Sequence, residues 1–214
     1  KKYLRPIIIC TNDKNQDIIS ISNQYNIPVF MECLGSRFFK KYNNIISSYE
    51  FILTHSKLNP DLIIRFGKKP ISNILNNFLD QNKSITYLVT EKLFNDDAKN
   101  IIECQTSIFL EQFIKSQFKY NISWLNGLIV KQNIIKSYIN NFFKTPRDHE
   151  GYIINKILSI LPLDSNLMIG NSSPIRDLDK FTFNSSSKIN VFSNRGASGI
   201  DGIISTSMGL VLEQ

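Results

Sequence analysis

Arg5-Pro6-Ile7-Ile8-Ile9-Cys10-Thr11-Asn12-Asp13, a helix-patterned run from Lys14 to about Tyr25, and then Asn26-Ile27-Pro28-Val29-Phe30-Met31-Glu32 decide the fold. The apolar run Ile7 to Cys10 ends at turn-forming residues and reads as a buried strand. Asn26-Ile27-Pro28 breaks the helix, and Val29 to Glu32 reads as a second strand. A strand, a helix and a strand in so short a stretch form a parallel βαβ unit.

The same alternation continues outward. Asp61-Leu62-Ile63-Ile64-Arg65-Phe66 predicts a strand, and Pro70 predicts the first turn of a helix running through Asp80. Ser84 to Val89 and Ile101 to Cys104 predict two more strands, and Thr106 or Ser107 predicts the cap of a helix to about Gln117. Trp124 to Phe143 is mostly helical, and Thr145-Pro146-Arg147-Asp148 punctuates it. A new helix begins near Asp148 with Ile153, Ile154, Ile157, Leu158 and Leu161 on one face. Strands at Asn166–Ile169 and Ile189–Phe192 flank a helix at Ser173–Asp179, with Pro174 near its first turn, and Ile203 to Leu212 predicts a last helix. The expected fold class is α/β: open, mostly parallel sheets flanked by helices. Residues 1–120 are expected to form one α/β domain, 121–147 a helical linker, and 148–214 the beginning of another.

Composition narrows the function classes. Among 214 residues, 42% are hydrophobic and 20% charged, enough apolar material for a real core. No apolar run approaches the roughly 20 residues needed to span a bilayer, so no membrane partner is expected. The net charge is +7, but the lysines are dispersed, with Lys40-Lys41 and Lys68-Lys69 the densest groups. No nucleic-acid-binding signature accompanies them, so no nucleic-acid partner is expected. Cys10, Cys33 and Cys104 have no CxxC spacing and read as reduced core residues, with neither disulfide nor zinc implied. His55 and His149 are far apart, so no histidine metal site is expected. The start at Lys1-Lys2-Tyr3, without Met or a signal pattern, reads as a cut edge of a longer chain. Abundant Ile, Asn, Lys and Ser reflects AT-rich codons, which removes weight from the Asn-x-Ser matches at Asn121, Asn171 and Asn184.

Two strand ends carry the candidate chemistry. Gly170-Asn171-Ser172-Ser173-Pro174-Ile175-Arg176 leaves one, and Ser193-Asn194-Arg195-Gly196-Ala197-Ser198-Gly199-Ile200-Asp201-Gly202 leaves the next. Ligands of open parallel sheets bind at such ends. Each segment offers hydroxyl or amide groups and one arginine, the residue that grips carboxylates bidentately. The plainer alternatives are that Arg176 pairs with Asp177 or Asp179, that Arg195 pairs with Asp201, and that Ile200 is core. Asp201 in the first turn of the last helix would repel a phosphate there. Neither a Walker loop, a dinucleotide fingerprint nor a Gly-x-Ser-x-Gly elbow is present.

These two strings resemble the thiamine-diphosphate-dependent 2-succinyl-5-enolpyruvyl-6-hydroxy-3-cyclohexene-1-carboxylate (SEPHCHC) synthases of menaquinone and phylloquinone synthesis. Asn-Arg-Gly-Ala-Ser-Gly-Ile-Asp-Gly at 194–202 is specific to that family, and Asp61 to Gly67 is similar to the last strand of its central domain. The resemblance implies a central domain followed by the first part of a diphosphate-binding domain. It implies decarboxylation of 2-oxoglutarate on thiamine diphosphate and transfer of the succinyl-semialdehyde carbanion to isochorismate. Ser172, Arg176 and Arg195 would hold substrate carboxylates. Ile200 would lie beneath the bent cofactor, with Asn171, Ser198 and Gly199 lining its pocket.

By the same resemblance, the catalytic glutamate belongs to an N-terminal domain outside this segment, supplied by the partner in a homodimer or tetramer. The magnesium-binding segment would follow Gln214, so the segment alone is expected to be inactive and to bind neither magnesium nor cofactor tightly. Plastid stroma or bacterial cytoplasm would house it. A thiamine-diphosphate enzyme of the acetolactate synthase type, and a non-catalytic Rossmann-like remnant, stay open as other readings.

Overall fold

The computed structural model of the chain describes residues 3–35, 42–92, 96–115, 121–183, 189–195 and 199–212. The first part runs β1 (Pro6–Cys10), α1 (Gln16–Gln24), β2 (Val29–Met31), β3 (Ile45–Ile46), α2 (Tyr49–His55), β4 (Leu62–Phe66) and α3 (Asn73–Gln81). A 3-10 turn at Lys83–Ile85 then leads to β5 (Thr86–Thr90), β6 (Asn100–Glu103) and α4 (Thr106–Lys115). The second part has α5 (Ile122–Phe142), α6 (Glu150–Ile160), β7 (Ser165–Met168), α7 (Ser173–Phe181), β8 (Ile189–Phe192) and α8 (Ile203–Leu212).

Strands β1 to β6 form one parallel sheet in the order β3-β2-β1-β4-β5-β6. The order reverses between β1 and β4, where Ile8 pairs with Ile64 and Cys10 with Phe66. Helices cover both faces, which is why β1 and β4 are continuous apolar runs without alternation. Side chains alternate between the two layers: Ile8 and Cys10 join α1 and α4 residues such as Ile18 and Leu110, while Ile7 and Ile9 join α2, α3 and α5. Ile7 and Ile9 are fully buried, worth about 1.5–3 kcal/mol each relative to exposure.

Helix α5 is fastened to this sheet. Leu125 and Leu128 enter its core, and Trp124 Nε1 donates to the Pro6 carbonyl at 2.9 Å. Buried Gln132 accepts from Ser47 N–H at 2.7 Å and donates to the Ile45 carbonyl at 2.9 Å. The polar side chain thereby satisfies the backbone beyond the short strand β3.

Strands β7 and β8 form a parallel pair, from Ser165 opposite Ile189 to Met168 opposite Phe192. Two strands alone are marginal in water. Their core is completed by α6, α7 and two residues from loops of the larger sheet, Cys33 and Ile71. His149 caps α6, its Nδ1 accepting from Gly151 N–H at 2.9 Å, and its ring lies edge-on to Phe181. That is a structural use of the histidine.

Three sequence expectations need correction. Pro70 does not open α3: Ser72 caps it, accepting from Leu75 N–H at 3.2 Å, and Pro70 precedes the cap. Glu32 holds the N–H groups of Ile71 and Ser72 and keeps this entry non-helical. On α6 only Leu158 is buried from the expected face; Ile153 is 54% exposed and Ile157 37%. The small two-stranded sheet is too narrow to cover that whole face. Elements β3 and α2 are too short to leave a periodic signature in the sequence. The thiols of Cys10 and Cys33 are buried and that of Cys104 is half-buried, none of the three in a disulfide among the described residues.

Candidate active site

Both strands of the small sheet end at the same edge, so the loops after Met168 and Phe192 meet. Asn171 joins them. Its Nδ2 donates to the Asn194 carbonyl at 3.1 Å and to the Gly199 carbonyl at 3.0 Å, and its Oδ1 accepts from Ser193 Oγ at 2.9 Å. Asn171 is 7% exposed, so these bonds are shielded from water and hold the two loops as one unit.

Beside it, Ser172 has φ 73° and ψ −126°, a conformation costly for a residue with a Cβ. Its side chain makes no capping bond to α7 and is exposed, leaving the hydroxyl available. Arg176 is also exposed, one turn further along α7. It forms no ion pair among the described residues, and Asp179 is taken up elsewhere, which removes the local pairing with Asp177 or Asp179. Arg195 is half-buried at the end of β8. Gly199 is exposed with open space where a Cβ would stand. Ile200 is 68% exposed and therefore not a core residue. Ser198 lies outside the described residues.

The structure adds groups that sequence reasoning missed. A cavity of about 570 Å³ lies between the carboxyl ends of β1, β4 and β8 and is lined by Arg195, Glu32, Lys14 and Lys68 among others. Glu32 is 1% exposed and accepts from Ile71 N–H at 2.6 Å and Ser72 N–H at 3.1 Å. Burial, reinforced by the neighbouring Asp179, pushes its pKa up to about 8 against the pull of the two N–H donors and Arg195. The signal available in the sequence was a lone acid at the end of an apolar run, Val29-Phe30-Met31-Glu32. Arg195 thus faces the larger sheet, whereas Arg176 and Ser172 do not line the cavity.

Asp179 ties α7 to the larger sheet: Oδ1 accepts from Cys33 N–H at 2.7 Å and Oδ2 from the Tyr49 hydroxyl. Burial and the facing carboxylate raise the Tyr49 pKa well above its ordinary value, so the hydroxyl stays a donor. No group of three or more His, Cys, Asp or Glu able to hold a metal occurs among the described residues. No described helix is long and apolar enough to cross a membrane.

No family model matches the chain. It is similar to the 2-succinyl-5-enolpyruvyl-6-hydroxy-3-cyclohexene-1-carboxylate synthase of Bacillus pumilus, 27% identical over 95% of this chain and 38% of that protein. The synthase of the same name from Listeria monocytogenes is 30% identical over 91% of the chain and 36% of its own length. That of Staphylococcus epidermidis is 27% identical over 90% and 35%. The chain spans little more than a third of the length of these curated relatives. The chain is thus a homologue of the SEPHCHC synthases along nearly all of its own length.

Proposed function

We propose that these residues serve a thiamine-diphosphate-dependent transferase that decarboxylates 2-oxoglutarate and adds the four-carbon unit to isochorismate, in menaquinone or phylloquinone synthesis. The observation that carries this reading is the Asn171-stitched pair of strand ends in a chain similar throughout to synthases of that name. Exposed Ser172, Gly199 and Ile200 at one edge fit a cofactor that needs an open, partly apolar seat. Thiamine diphosphate, when bound, supplies a nucleophilic thiazolium carbon and an electron sink for loss of carbon dioxide. Asn171, Ser198, Gly199 and Ile200 would hold its thiazolium side.

The chain's own contribution is to bind and orient two anions. Arg176 and Arg195 offer guanidinium forks to substrate carboxylates, and Ser172 offers a hydroxyl held forward by its strained turn. Asn171 keeps the two loops at fixed separation, so the cations are placed before substrate arrives. Glu32 keeps a proton beside Arg195 at neutral pH. Magnesium as the diphosphate counter-ion, a homo-oligomer, the three-part division at residues 120 and 147, and a plastid or bacterial cytoplasmic location belong to the same proposal.

The test is steady-state kinetics of the gene product that carries these residues, with Arg195→Ala beside the wild type. The Michaelis constant of a carboxylate substrate should rise about tenfold or more, the worth of a lost charge-assisted contact. Unchanged constants for both substrates would refute the assigned role.

A further inference from the structure

We propose that Glu32 is a positioning residue for the candidate site: its carboxyl group joins the two loops of the larger sheet on which α7, with Ser172 and Arg176, is seated. The effect on substrate rests on the transferase reading; the joining of the loops does not.

The seat has two parts. Cys33 and Ile71, from the loops after β2 and β4, enter the buried core of the small sheet together with Ile175 and Leu178 of α7. Cys33 also holds α7 by polar contacts. Its N–H donates to Asp179 Oδ1 at 2.7 Å, and its Sγ donates to the Ile175 carbonyl at 3.8 Å.

Glu32 fastens these two loops to each other. It is the residue before Cys33, and its Oε1 accepts from Ile71 N–H at 2.6 Å and from Ser72 N–H at 3.1 Å. Both bonds are buried, where water does not compete with them. The loop after β2 is itself tight: Gly35 N–H donates to the Glu32 carbonyl at 3.1 Å, and a Cβ on Gly35 would stand 3.3 Å from that oxygen. The acid therefore sits on the firmer loop and holds the other against it.

Local sequence opposes this arrangement. Pro70 suits the first turn of a helix, and by its own preference α3 would begin there. Glu32 instead takes up the N–H groups of Ile71 and Ser72, and α3 begins at Asn73. Without that acceptor the segment reverts to its local preference. A longer α3 turns the Ile71 side chain away from Ile175 and Leu178, and α7 loses half of its seat. A shift of about 1 Å is enough to spoil the grip of a placed cation on its substrate.

Charge acts on the same seat. Glu32 faces Asp179 from α7, Tyr49 from α2, Cys10 from β1 and Arg195 after β8, and it shares a cavity with Lys14 and Lys68. Glu50 of α2 reaches the Ser72 side chain. Burial and Asp179 push the Glu32 carboxyl up to about 8, so at neutral pH it lies beside Asp179 uncharged. Above that value two buried carboxylates meet across the seat. Both N–H groups donate to one oxygen, which the amide oxygen of a glutamine can replace.

The test uses the gene product that carries these residues, with hydrogen exchange read at α7 beside steady-state kinetics. Glu32→Ala should lower the protection of residues 175–181 about tenfold and leave β4 unchanged. The Michaelis constant of a carboxylate substrate should rise about tenfold, with kcat within about twofold. Glu32→Gln should restore both at neutral pH. Between about pH 7 and 9 the protection of α7 should fall in the wild type and hold in Glu32→Gln. That comparison decides the case even where Glu32→Ala does not fold. Unaltered α7 protection in Glu32→Ala, a loss confined to kcat, or a pH response kept in Glu32→Gln would overturn the proposal. If Glu32→Ala loosens α7 while neither it nor Arg176→Ala alters the kinetics, the seat stands and the transferase reading falls. If Arg176→Ala raises the Michaelis constant and Glu32→Ala changes nothing, the reading stands and the seat falls.

Discussion

Asp179, on the helix that follows the candidate site's first loop, accepts a hydrogen bond at 2.7 Å from the backbone N–H of Cys33, in the loop after β2. One buried carboxylate therefore fixes the position of α7, and with it Ser172 and Arg176, against the larger sheet. The second oxygen is satisfied by Tyr49 from α2, so three elements meet at a single side chain.

Tyr49→Phe removes that donor and leaves a buried carboxylate oxygen unmatched. Unfolding free energy should fall by about 1–3 kcal/mol, read from the urea midpoint at constant slope. A midpoint equal to wild type would show that Asp179 does not depend on the hydroxyl.

Glu32 predicts a pH dependence. Its carboxyl titrates at about 8 folded against 4.5 in its ordinary state, mainly because it is buried. Between those values the folded protein holds a proton that the unfolded chain has released. The unfolded state then binds fewer protons, so stability falls as pH rises, by up to about 1.4 kcal/mol per unit. Glu32→Gln should flatten that slope in denaturation curves between pH 5 and 8. An identical slope in the variant would assign the dependence to another group.

Gly67→Ala places a methyl group against Thr11 Oγ1 and Asn12 Oδ1 at a φ that disfavours side chains. We expect a loss of about 1–3 kcal/mol in thermal or chemical unfolding. Amide shifts should concentrate at Thr11, Asn12 and Lys68. Wild-type stability with unshifted amides would mean that the two loops are not locked together.

Helix α8 buries no residue, and Ile204, Met208, Val211 and Leu212 are between 63% and 84% exposed. A ten-residue helix with no fully buried side chain is marginal on its own. Hydrogen exchange of the isolated chain should release 203–212 far faster than Leu75–Leu79 of α3, whose apolar face is buried. Equal protection would contradict this.

The alternating strands and helices, the parallel pairing and the two candidate strand-end loops could be read from local sequence alone. Runs such as Ile7–Cys10 and Leu62–Phe66 leave few other ways to bury themselves, and period and turn chemistry are local properties. Helix starts were legible where the signal is local, as at Ser173 of α7 with Pro174 in its first turn. The start of α3 at Asn73 was decided by Glu32, whose carboxylate reaches Ile71 and Ser72 from a distant strand end. The burial of α6, the placement of Arg195 against Glu32, and the docking of α7 through Asp179, Cys33 and Tyr49 likewise depend on residues far apart in the chain, Cys33 and Asp179 by 146 positions. Local pattern determines which segments become strands and helices; only the packed tertiary structure decides which charges face one another, because desolvation acts on groups brought together by the fold.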